Sequence, residues 1–356
     1  FDISDDGKTI VYEVNEAGSD RMRILDVASG KVTKVDALPA GQIGGIEIAP
    51  WGEIGFSFNS AKSAADVWSL DPKTMKLTRW TQSETGGLDP SVNVEPRIVT
   101  TRSFDGLEVS GLLYLPDPAK FPGKRPLIVD IHGGPEGQST AGFMGPDNYL
   151  LNELGVGIFF PNVRGSTGYG KTFVSLDNGP FKREDSVKDM AALIDAVRKD
   201  AAVDPAKVGL TGGSYGGYMC YAAAVQLKDK LSATQCTVAI SNFVSFLENT
   251  NPYRQDLRRV EYGDERDPVQ RAKLAEISPL TRVGEITKPM FVITGANDPR
   301  VPKSEADQMV AAIRAGGGEA WHLVAADEGH GFRKKVNSEY AFLAQLVFWD
   351  KHLLGE

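Results

Sequence analysis

Residues 212–217 read GGSYGG, and this segment constrains the fold more than any other part of the chain. An apolar run at 208–211 precedes it and a helix-forming segment at 218–227 follows it, which is the strand–tight turn–helix setting of a G-x-S-x-G motif. Glycines permit the sharp turn and the close backbone approach that it requires. The turn exposes the Ser214 hydroxyl at a helix N-terminus, where the helix dipole favours negative charge. We predict a nucleophilic serine; the alternative is a glycine-rich turn with an incidental serine.

The pattern of apolar runs after residue 97 gives the fold class. Six short runs without polar alternation are separated by longer helical segments, and such runs are typical of strands buried on both faces of a parallel sheet. The runs are residues 126–131, 156–160, 207–210, 236–240, 290–293 and 320–324. Amphipathic helices are predicted at 184–198 and 336–354, and an opening hairpin at 97–115. This alternation predicts a doubly wound, mostly parallel α/β sheet.

A nucleophilic serine needs a general base, and the chain has four histidines, His132, His322, His330 and His352. The chain order in the α/β-hydrolase fold is serine, acid, histidine, so His132 comes too early. His322 lies within a predicted strand and His352 within the last predicted helix. His330 lies in a loop directly after the last strand, where this architecture places its chemistry. We therefore predict that His330 is the general base.

Asp298 is the predicted acid that orients the histidine, because it follows the strand at 290–294. An Asx turn is the alternative interpretation of Asp298. Asp327 and Glu328 are rival candidates, although their closeness in sequence to His330 makes the geometry awkward.

Two backbone N–H groups are predicted to stabilise the oxyanion. One belongs to Tyr215, the residue after the serine. The other belongs to Gly134, because residues 131–135 (IHGGP) follow an earlier strand and resemble the HGG type of oxyanion loop. His132 is then expected to hold this loop with its ring.

The first 80 residues contain a repeat with an offset of about 45 residues, in which Leu25 and Asp26 correspond to Leu70 and Asp71. Each unit reads as strands joined by turn chemistry, and this period indicates β-propeller blades; two unrelated hairpins are the alternative. Propellers close with about 4–8 blades. We therefore expect residues 1–90 to be two blades of a larger propeller, residues 91–356 to be the catalytic domain, and the chain, which begins at Phe1, to be truncated.

Composition excludes several classes of function. The net charge is −8 without a basic patch, which argues against a nucleic-acid partner. No apolar run reaches the roughly 18 residues of a membrane helix, so no membrane partner is expected. Four scattered histidines form no metal motif, and neither a metal nor another cofactor is predicted. Two cysteines make no disulfide framework; cytoplasmic and periplasmic locations both remain open.

Residues 165–172 (GSTGYGKT) match the phosphate-binding pattern G-x-x-x-x-G-K-[ST]. That pattern requires a substantial helix starting at the lysine. The chain reaches Asn178, Gly179 and Pro180 after a few residues, so we do not expect nucleotide binding.

Five segments together resemble the prolyl oligopeptidase family of serine peptidases. They are HGGP at 132–135, RGSTGYG at 164–170, GGSYGGYM at 212–219, NDPRVP at 297–302 and DEGHGF at 327–332. The HGGP form is similar to the acylaminoacyl-peptidase and bacterial branch. The resemblance implies an α/β-hydrolase domain preceded by a propeller that filters substrates by size. It also implies a substrate pocket after the strand ending at Ile240, with Phe243, Phe246 and Val301 as its candidates; both phenylalanines could equally be core residues.

These features lead to three hypotheses. In the first, the chain is a serine hydrolase that cleaves short peptides through an acyl-enzyme. In the second, the same triad cleaves small esters, and in the third the chain is an inert propeller-type binding protein.

The charged segment 254–271 is interpreted as a solvated helix pair, with a substrate or subunit contact as the alternative. Self-association of the chain is left open.

Overall fold

The structure, a computed structural model, describes residues 1–355. Two four-stranded antiparallel sheets occupy the front of the chain, as the 45-residue repeat indicates. The first sheet contains β1 (Asp2–Ile3), β2 (Thr9–Glu16), β3 (Ser19–Asp26) and β4 (Val32–Lys34), and the second contains β5 (Gly41–Ile48), β6 (Ile54–Ser60), β7 (Ser63–Asp71) and β8 (Lys76–Arg79). Each sheet is a meander in chain order, and residues from both form one apolar core that includes Val11, Met22, Phe56 and Leu70.

An eight-stranded sheet follows, in the order β16-β15-β14-β13-β11-β12-β10-β9. Its strands are β9 (Arg97–Arg102), β10 (Glu108–Tyr114), β11 (Arg125–Ile131), β12 (Gly157–Asn162), β13 (Val203–Gly213), β14 (Ala233–Thr237), β15 (Met290–Gly295) and β16 (Ala320–Ala325). The six strands from β11 to β16 pair in parallel. All six predicted apolar runs therefore correspond to parallel strands, and the α/β class is confirmed.

One of these strands differs in its bounds from the expectation. The sequence predicts a strand at 236–240, whereas β14 ends at Thr237. Val238 has a φ of 44°, which no regular strand accommodates. Val238, Ala239 and Ile240 are nevertheless buried. A buried apolar run resembles a buried strand in the sequence whether or not its backbone is extended.

The helices alternate with the parallel strands. They are α1 (Asn148–Asn152), α2 (Lys171–Val174), α3 (Asp185–Val197), α4 (Tyr215–Gln226), α5 (Phe243–Asn249), α6 (Pro252–Tyr262), α7 (Pro268–Glu276), α8 (Lys303–Ala315) and α9 (Lys335–Trp349). Helix α2 begins at the lysine of the GSTGYGKT segment and has only four residues, so the substantial helix that a phosphate site requires is not formed there.

The chain divides into two compact units. The first contains residues 1–98 together with 112–122 and 139–155, and the second contains residues 99–111, 123–138 and the chain from 156 onward. Within residues 1–355, none of the helices has the combination of length and apolar character needed to span a bilayer.

Candidate active site

The turn between β13 and α4 places Ser214 in a conformation that is unusual for a residue with a side chain. Its φ is 61° and its ψ is −116°, and such backbone geometry costs about 1–3 kcal/mol. Neighbouring hydrogen bonds maintain it: the Ser214 N–H donates to the Thr237 carbonyl at 3.0 Å, and the Tyr218 N–H donates to the Ser214 carbonyl at 3.1 Å. A serine held in this way at the strand–helix junction matches the nucleophile turn of α/β hydrolases.

The glycines around Ser214 are required by close packing. A Cβ atom on Gly216 would lie 2.0 Å from the Ile131 carbonyl oxygen, and one on Gly212 would lie 2.4 Å from the Gly216 carbonyl oxygen. No side chain fits at either position without moving backbone. The first turn of α4 therefore lies directly against β11 and its following loop.

Ser214, His330 and Asp298 form a continuous chain of hydrogen-bonding contacts. His330 Nε2 lies 2.9 Å from Ser214 Oγ, and His330 Nδ1 lies 2.7 Å from Asp298 Oδ2. The carboxylate can only accept, so Nδ1 carries the proton and Nε2 is left to accept from the serine hydroxyl. The Asp298 side chain is fully buried and His330 is only 11% exposed, so water competes little for either contact.

The second oxygen of Asp298 stabilises its own loop. Oδ1 accepts from the backbone N–H groups of Arg300 at 2.8 Å and Val301 at 3.0 Å. The contacts that the Asx-turn interpretation and the acid interpretation each require are therefore both present, on different oxygens of one carboxylate.

The rival carboxylates have other contacts. Asp327 contacts Lys334 and the Asn337 side chain, and Glu328 accepts from the backbone N–H groups of Arg333 and Lys334. Both side chains therefore stabilise the entrance to α9 instead of orienting His330.

The loop that carries Gly134 lies beside the serine. His132 Nε2 is 2.9 Å from Ser166 Oγ and its Nδ1 is 2.8 Å from the Gly133 carbonyl oxygen, so the ring connects this loop to the next one. Burial lowers the pKa of His132. Gly134 lines the cavity above Ser214, and Tyr215 supplies the first N–H of α4, where such groups lack a partner within the helix.

A cavity of about 560 Å³ contains the serine and the histidine. Its walls are formed by Gly133, Gly134, Glu136, Gly213, Ser214, Thr237, Val238, Arg258, Glu261, Arg300, His330 and Gly331. Four of these side chains, those of Glu136, Arg258, Glu261 and Arg300, are acidic or basic, and no sequence motif predicts any of the four individually as a site residue. The charged segment 254–271 was the available signal, because it contains Arg258 and Glu261.

Helix α6 brings an ion pair to this cavity. Arg258 contacts Glu261, and its Nη1 also lies 3.4 Å from the Gly134 carbonyl oxygen. Burial raises the pKa of Glu261 to about 7, although Arg258 acts in the opposite direction. The pair therefore links a titrating carboxyl group to the loop that contains Gly134.

A fully buried arginine lies behind the serine turn. Arg183 donates to Asp177 Oδ2 at 2.6 Å and to the Glu261 carbonyl at 2.8 Å. Its guanidinium also lies 5.4 Å from the Tyr215 ring centre and 4.9 Å from that of Tyr262. The Tyr215 hydroxyl donates to Asp177 as well. These contacts fix the side chain of the residue whose N–H is the predicted oxyanion donor.

The three predicted pocket residues are not among those that line this cavity. Phe243, Phe246 and Val301 are each at most 4% exposed. Both phenylalanine rings pack against Tyr262, at centre distances of 5.1 and 6.0 Å. Their location matches the core alternative, and their role in substrate binding stays a prediction.

The two cysteines are paired with each other. A disulfide joins Cys220 in α4 to Cys236 in β14. It connects the helix that follows Ser214 to the neighbouring strand, a cross-link that was not predicted from the sequence.

Comparison with known proteins agrees with this geometry. The sequence model described as "Prolyl oligopeptidase family" matches residues 142–356. This chain belongs to the prolyl oligopeptidase family. The family resemblance drawn from the five motifs is therefore confirmed.

Two curated relatives match more than half of the chain. Dipeptidyl peptidase family member 6 of Caenorhabditis elegans is 37% identical over 216 residues, which are 60% of this chain and 29% of the relative. Dipeptidyl aminopeptidase BIII of Pseudoxanthomonas mexicana is 36% identical over 238 residues, which are 62% of this chain and 33% of the relative. The chain thus spans about a third of the length of these two relatives.

Solved structures share the fold over nearly the whole chain. A puromycin hydrolase matches with a TM-score of 0.83 and 24% identity, over 98% of this chain and 52% of that one. The Pyrococcus horikoshii acylaminoacyl peptidase matches with a TM-score of 0.80 and 22% identity, over 97% and 54%. These similarities support an α/β-hydrolase domain, and the chain spans about half the length of each solved protein.

Proposed function

We propose that the chain carries the catalytic centre of a serine peptidase that cleaves short peptides through an acyl-enzyme. The observation that carries the proposal is the chain of contacts from Asp298 through His330 to Ser214, whose geometry at the strand–helix turn suits nucleophilic attack. Membership of the prolyl oligopeptidase family supports the same reaction class.

In the proposed reaction, Ser214 Oγ attacks the carbonyl carbon of the scissile bond while His330 Nε2 takes the hydroxyl proton. Asp298 keeps the imidazole in the tautomer that accepts at Nε2 and stabilises the imidazolium that forms. The N–H groups of Gly134 and Tyr215 donate to the oxyanion. His330 then returns the proton to the leaving amine, and a water molecule, activated by the same histidine, hydrolyses the ester.

The proposed substrates are short peptides, which the names of the relatives support. The relatives include proteins named dipeptidyl peptidase, dipeptidyl aminopeptidase and acylamino-acid-releasing enzyme. The cavity has charged walls that include Glu136, Arg258, Glu261 and Arg300. Such walls suit a polar peptide backbone better than a hydrocarbon chain.

We also infer that the two antiparallel sheets are two blades of a β-propeller. Each has four strands in meander order, and the strands recur with the 45-residue offset. In this interpretation residues 1–90 are propeller and residues 91–356 are the catalytic domain.

Matched p-nitroanilide and p-nitrophenyl ester substrates with the same acyl groups test the proposal. We expect hydrolysis of both, with kcat for the anilides falling by about 10⁴–10⁶ in Ser214→Ala. Hydrolysis of the esters alone would indicate that the chain is a carboxylesterase and not a peptidase. Anilide hydrolysis by Ser214→Ala at the wild-type rate would overturn the assignment of the nucleophile.

A further inference from the structure

Two side chains of opposite charge lie buried behind the serine turn. Asp177 and Arg183 are both completely excluded from solvent, and Arg183 Nη1 donates to Asp177 Oδ2 at 2.6 Å. Removing two charges from water costs about as much as their attraction returns, so apolar side chains of similar volume are often equally stable. Stability therefore gives little reason for this pair, and its neighbours indicate another role.

The pair supports the first residue of α4. The Tyr215 hydroxyl donates to Asp177 Oδ2 at 3.2 Å and lies 2.9 Å from Ser186 Oγ. The Arg183 guanidinium lies 5.4 Å from the centre of the Tyr215 ring, and a cation at such a distance is attracted to the ring face. The Tyr215 side chain is therefore held at both its ring and its hydroxyl. Its backbone N–H, the proposed oxyanion donor, is restrained with it.

The same pair supports the loop of the second proposed donor. Gly165 approaches the Asp177 carboxylate so closely that a Cβ atom on Gly165 would lie 2.6 Å from Asp177 Oδ1. The next residue, Ser166, has its Oγ 2.9 Å from His132 Nε2. The other nitrogen of that ring lies 2.8 Å from the carbonyl oxygen of the residue before Gly134. A continuous series of contacts therefore runs from Asp177 to the loop that carries Gly134.

Arg183 also fixes the end of α6. Its Nη2 donates to the Glu261 carbonyl at 2.8 Å, and its guanidinium lies 4.9 Å from the centre of the Tyr262 ring. Arg258 on the same helix lines the cavity and contacts the Gly134 carbonyl oxygen at 3.4 Å. The loop that carries Gly134 is thus contacted from two directions by groups that the buried pair holds in place.

We propose that Asp177 is a positioning residue for the oxyanion hole, and that it fixes the N–H groups of Tyr215 and Gly134 relative to each other. Donors that are fixed before the reaction stabilise the developing charge without reorganisation. Asp177 and Arg183 are not among the residues that line the cavity, so Asp177 acts on the reaction through Tyr215 and the Gly134 loop. This inference rests on the proposed function, because the oxyanion hole is part of it.

Tyr215→Phe tests the connection with little disturbance of the fold. It removes only the hydroxyl that contacts Asp177, and the ring keeps its place beside Arg183. Loss of a whole oxyanion donor costs about 10²–10³ in kcat. Displacement of one should cost less, so we expect kcat for the anilides to fall by about tenfold with KM unchanged.

Tyr221→Phe is the matched control. Tyr221 lies on the same helix and is completely buried, and its hydroxyl has no hydrogen-bond partner within residues 1–355. The same substitution there removes no contact with the buried pair, so kcat should stay at the wild-type value. A tenfold loss in both variants would show that α4 tolerates no such change at any position, and would contradict the specific role of Asp177.

A matched pair of inhibitors separates positioning from a general structural effect. With a peptide aldehyde, Ser214 Oγ adds to the aldehyde carbon, the hydroxyl proton passes to His330, and the former carbonyl oxygen becomes an oxyanion. The corresponding peptide alcohol has no carbonyl carbon to attack and binds through its peptide part alone. We expect Ki of the aldehyde to rise by about tenfold in Tyr215→Phe, with Ki of the alcohol unchanged. Equal changes for both inhibitors would refute the proposal.

Asp177→Ala tests the positioning residue itself. It should lower kcat at least as much as Tyr215→Phe, because Asp177 supports both donors. The double variant should lose less than the product of the two single losses, since the contact between the two side chains is shared. Losses that multiply would show that Asp177 does not act through Tyr215. Circular dichroism and melting of Asp177→Ala identify misfolding, and Tyr215→Phe decides the question if that variant does not fold.

The outcomes distinguish this inference from the proposed function. A wild-type chain without anilide hydrolysis would overturn the proposed function, and this inference with it. Where the wild type is active and Ser214→Ala is not, a Tyr215→Phe variant with the wild-type kcat would overturn the positioning role of Asp177 alone.

Discussion

At the scale of single residues, the two carboxylate oxygens of Asp298 contact different groups. Oδ2 orients His330, and Oδ1 accepts the two N–H groups that shape its own loop. A substitution that keeps an acceptor toward the loop can therefore separate catalysis from loop structure.

Asp298→Asn is that substitution. The amide oxygen can still accept from the loop N–H groups, while the amide nitrogen presents a donor to His330 Nδ1. The imidazole is then held in the tautomer that cannot accept from Ser214, so we expect kcat to fall by about 10⁴ with little change in the melting temperature. Steady-state kinetics and calorimetry check this. A variant that loses activity only because it unfolds would contradict the division of roles.

Glu261 gives the second prediction at this scale. Burial raises its pKa from 4.5 to about 7 in the folded protein, so the folded state holds this proton more tightly than the unfolded state. This contribution to stability is present below pH 4.5 and is lost as the pH rises to about 7. The free energy of unfolding of Glu261→Gln relative to wild type should increase over that interval, by at most about 3 kcal/mol.

Urea unfolding of both proteins at several pH values measures this difference. The neutral glutamine has no proton to lose, so it serves as the internal reference for all other titrating groups. A stability difference that stays constant between pH 4.5 and pH 7 would show that Glu261 does not titrate in this range.

The sequence motifs predict Ser214, Asp298 and His330 as a triad, and these side chains lie within hydrogen-bonding distance in the structure. The motifs did not identify Arg258 and Glu261 individually. Ser214, Asp298 and His330 each follow a strand that apolar runs identify, and parallel strands end at the same edge of a sheet. Arg258 and Glu261 lie on a helix whose inner face is set by tertiary packing. Other charged residues on α6 stand in the same kind of local sequence, so the sequence does not distinguish Arg258 and Glu261 from them.

At the scale of elements, the junction of β13, Ser214 and α4 depends on how closely α4 approaches β11. Gly216 occupies the point of closest approach, where a Cβ atom would be 2.0 Å from the Ile131 carbonyl oxygen. The obstructing atom belongs to the backbone of a central strand and cannot move aside cheaply.

Gly216→Ala should therefore disrupt the junction. We expect Ser214 to lose its reaction with a fluorophosphonate probe. We also expect the free energy of unfolding to fall by several kcal/mol, on the order of 3. Gly284→Ala is the matched control, because a Cβ atom there meets no atom within 4 Å. Equal stability of the two variants would contradict the packing described for α4.

The boundaries of helices and strands are predictable from the sequence only where a local pattern marks them. Helix α3 was predicted at 184–198 and observed at Asp185–Val197, because its apolar face has a clear period. The strand predicted at 236–240 ends instead at Thr237. The positive φ of Val238 has no local signal in the sequence, since a valine favours extended backbone.

At the scale of the whole molecule, the succession of two antiparallel sheets and one mostly parallel sheet follows from patterns in the sequence. The 45-residue repeat gives the first two, and the six apolar runs give the parallel strands. The grouping of residues 112–122 and 139–155 with the first unit was not predictable, because it depends on contacts between segments far apart in sequence.

The Cys220–Cys236 disulfide makes a further prediction for global stability. It closes a loop with a sequence separation of 16, and restricting such a loop in the unfolded chain contributes roughly 3 kcal/mol. Replacing both cysteines by alanine should lower the urea midpoint accordingly, and thiol titration of the denatured wild type should find no free thiol. Two free thiols in that titration would contradict the cross-link.

The central claim is that Ser214 is the nucleophile of a working triad, and covalent labelling tests it most directly. Intact-mass spectrometry after treatment with a fluorophosphonate should find one adduct on the wild-type chain, located at Ser214 by peptide mapping, and none on Ser214→Ala. A folded wild-type chain that takes up no label, or a Ser214→Ala chain labelled to the same extent, would contradict the account.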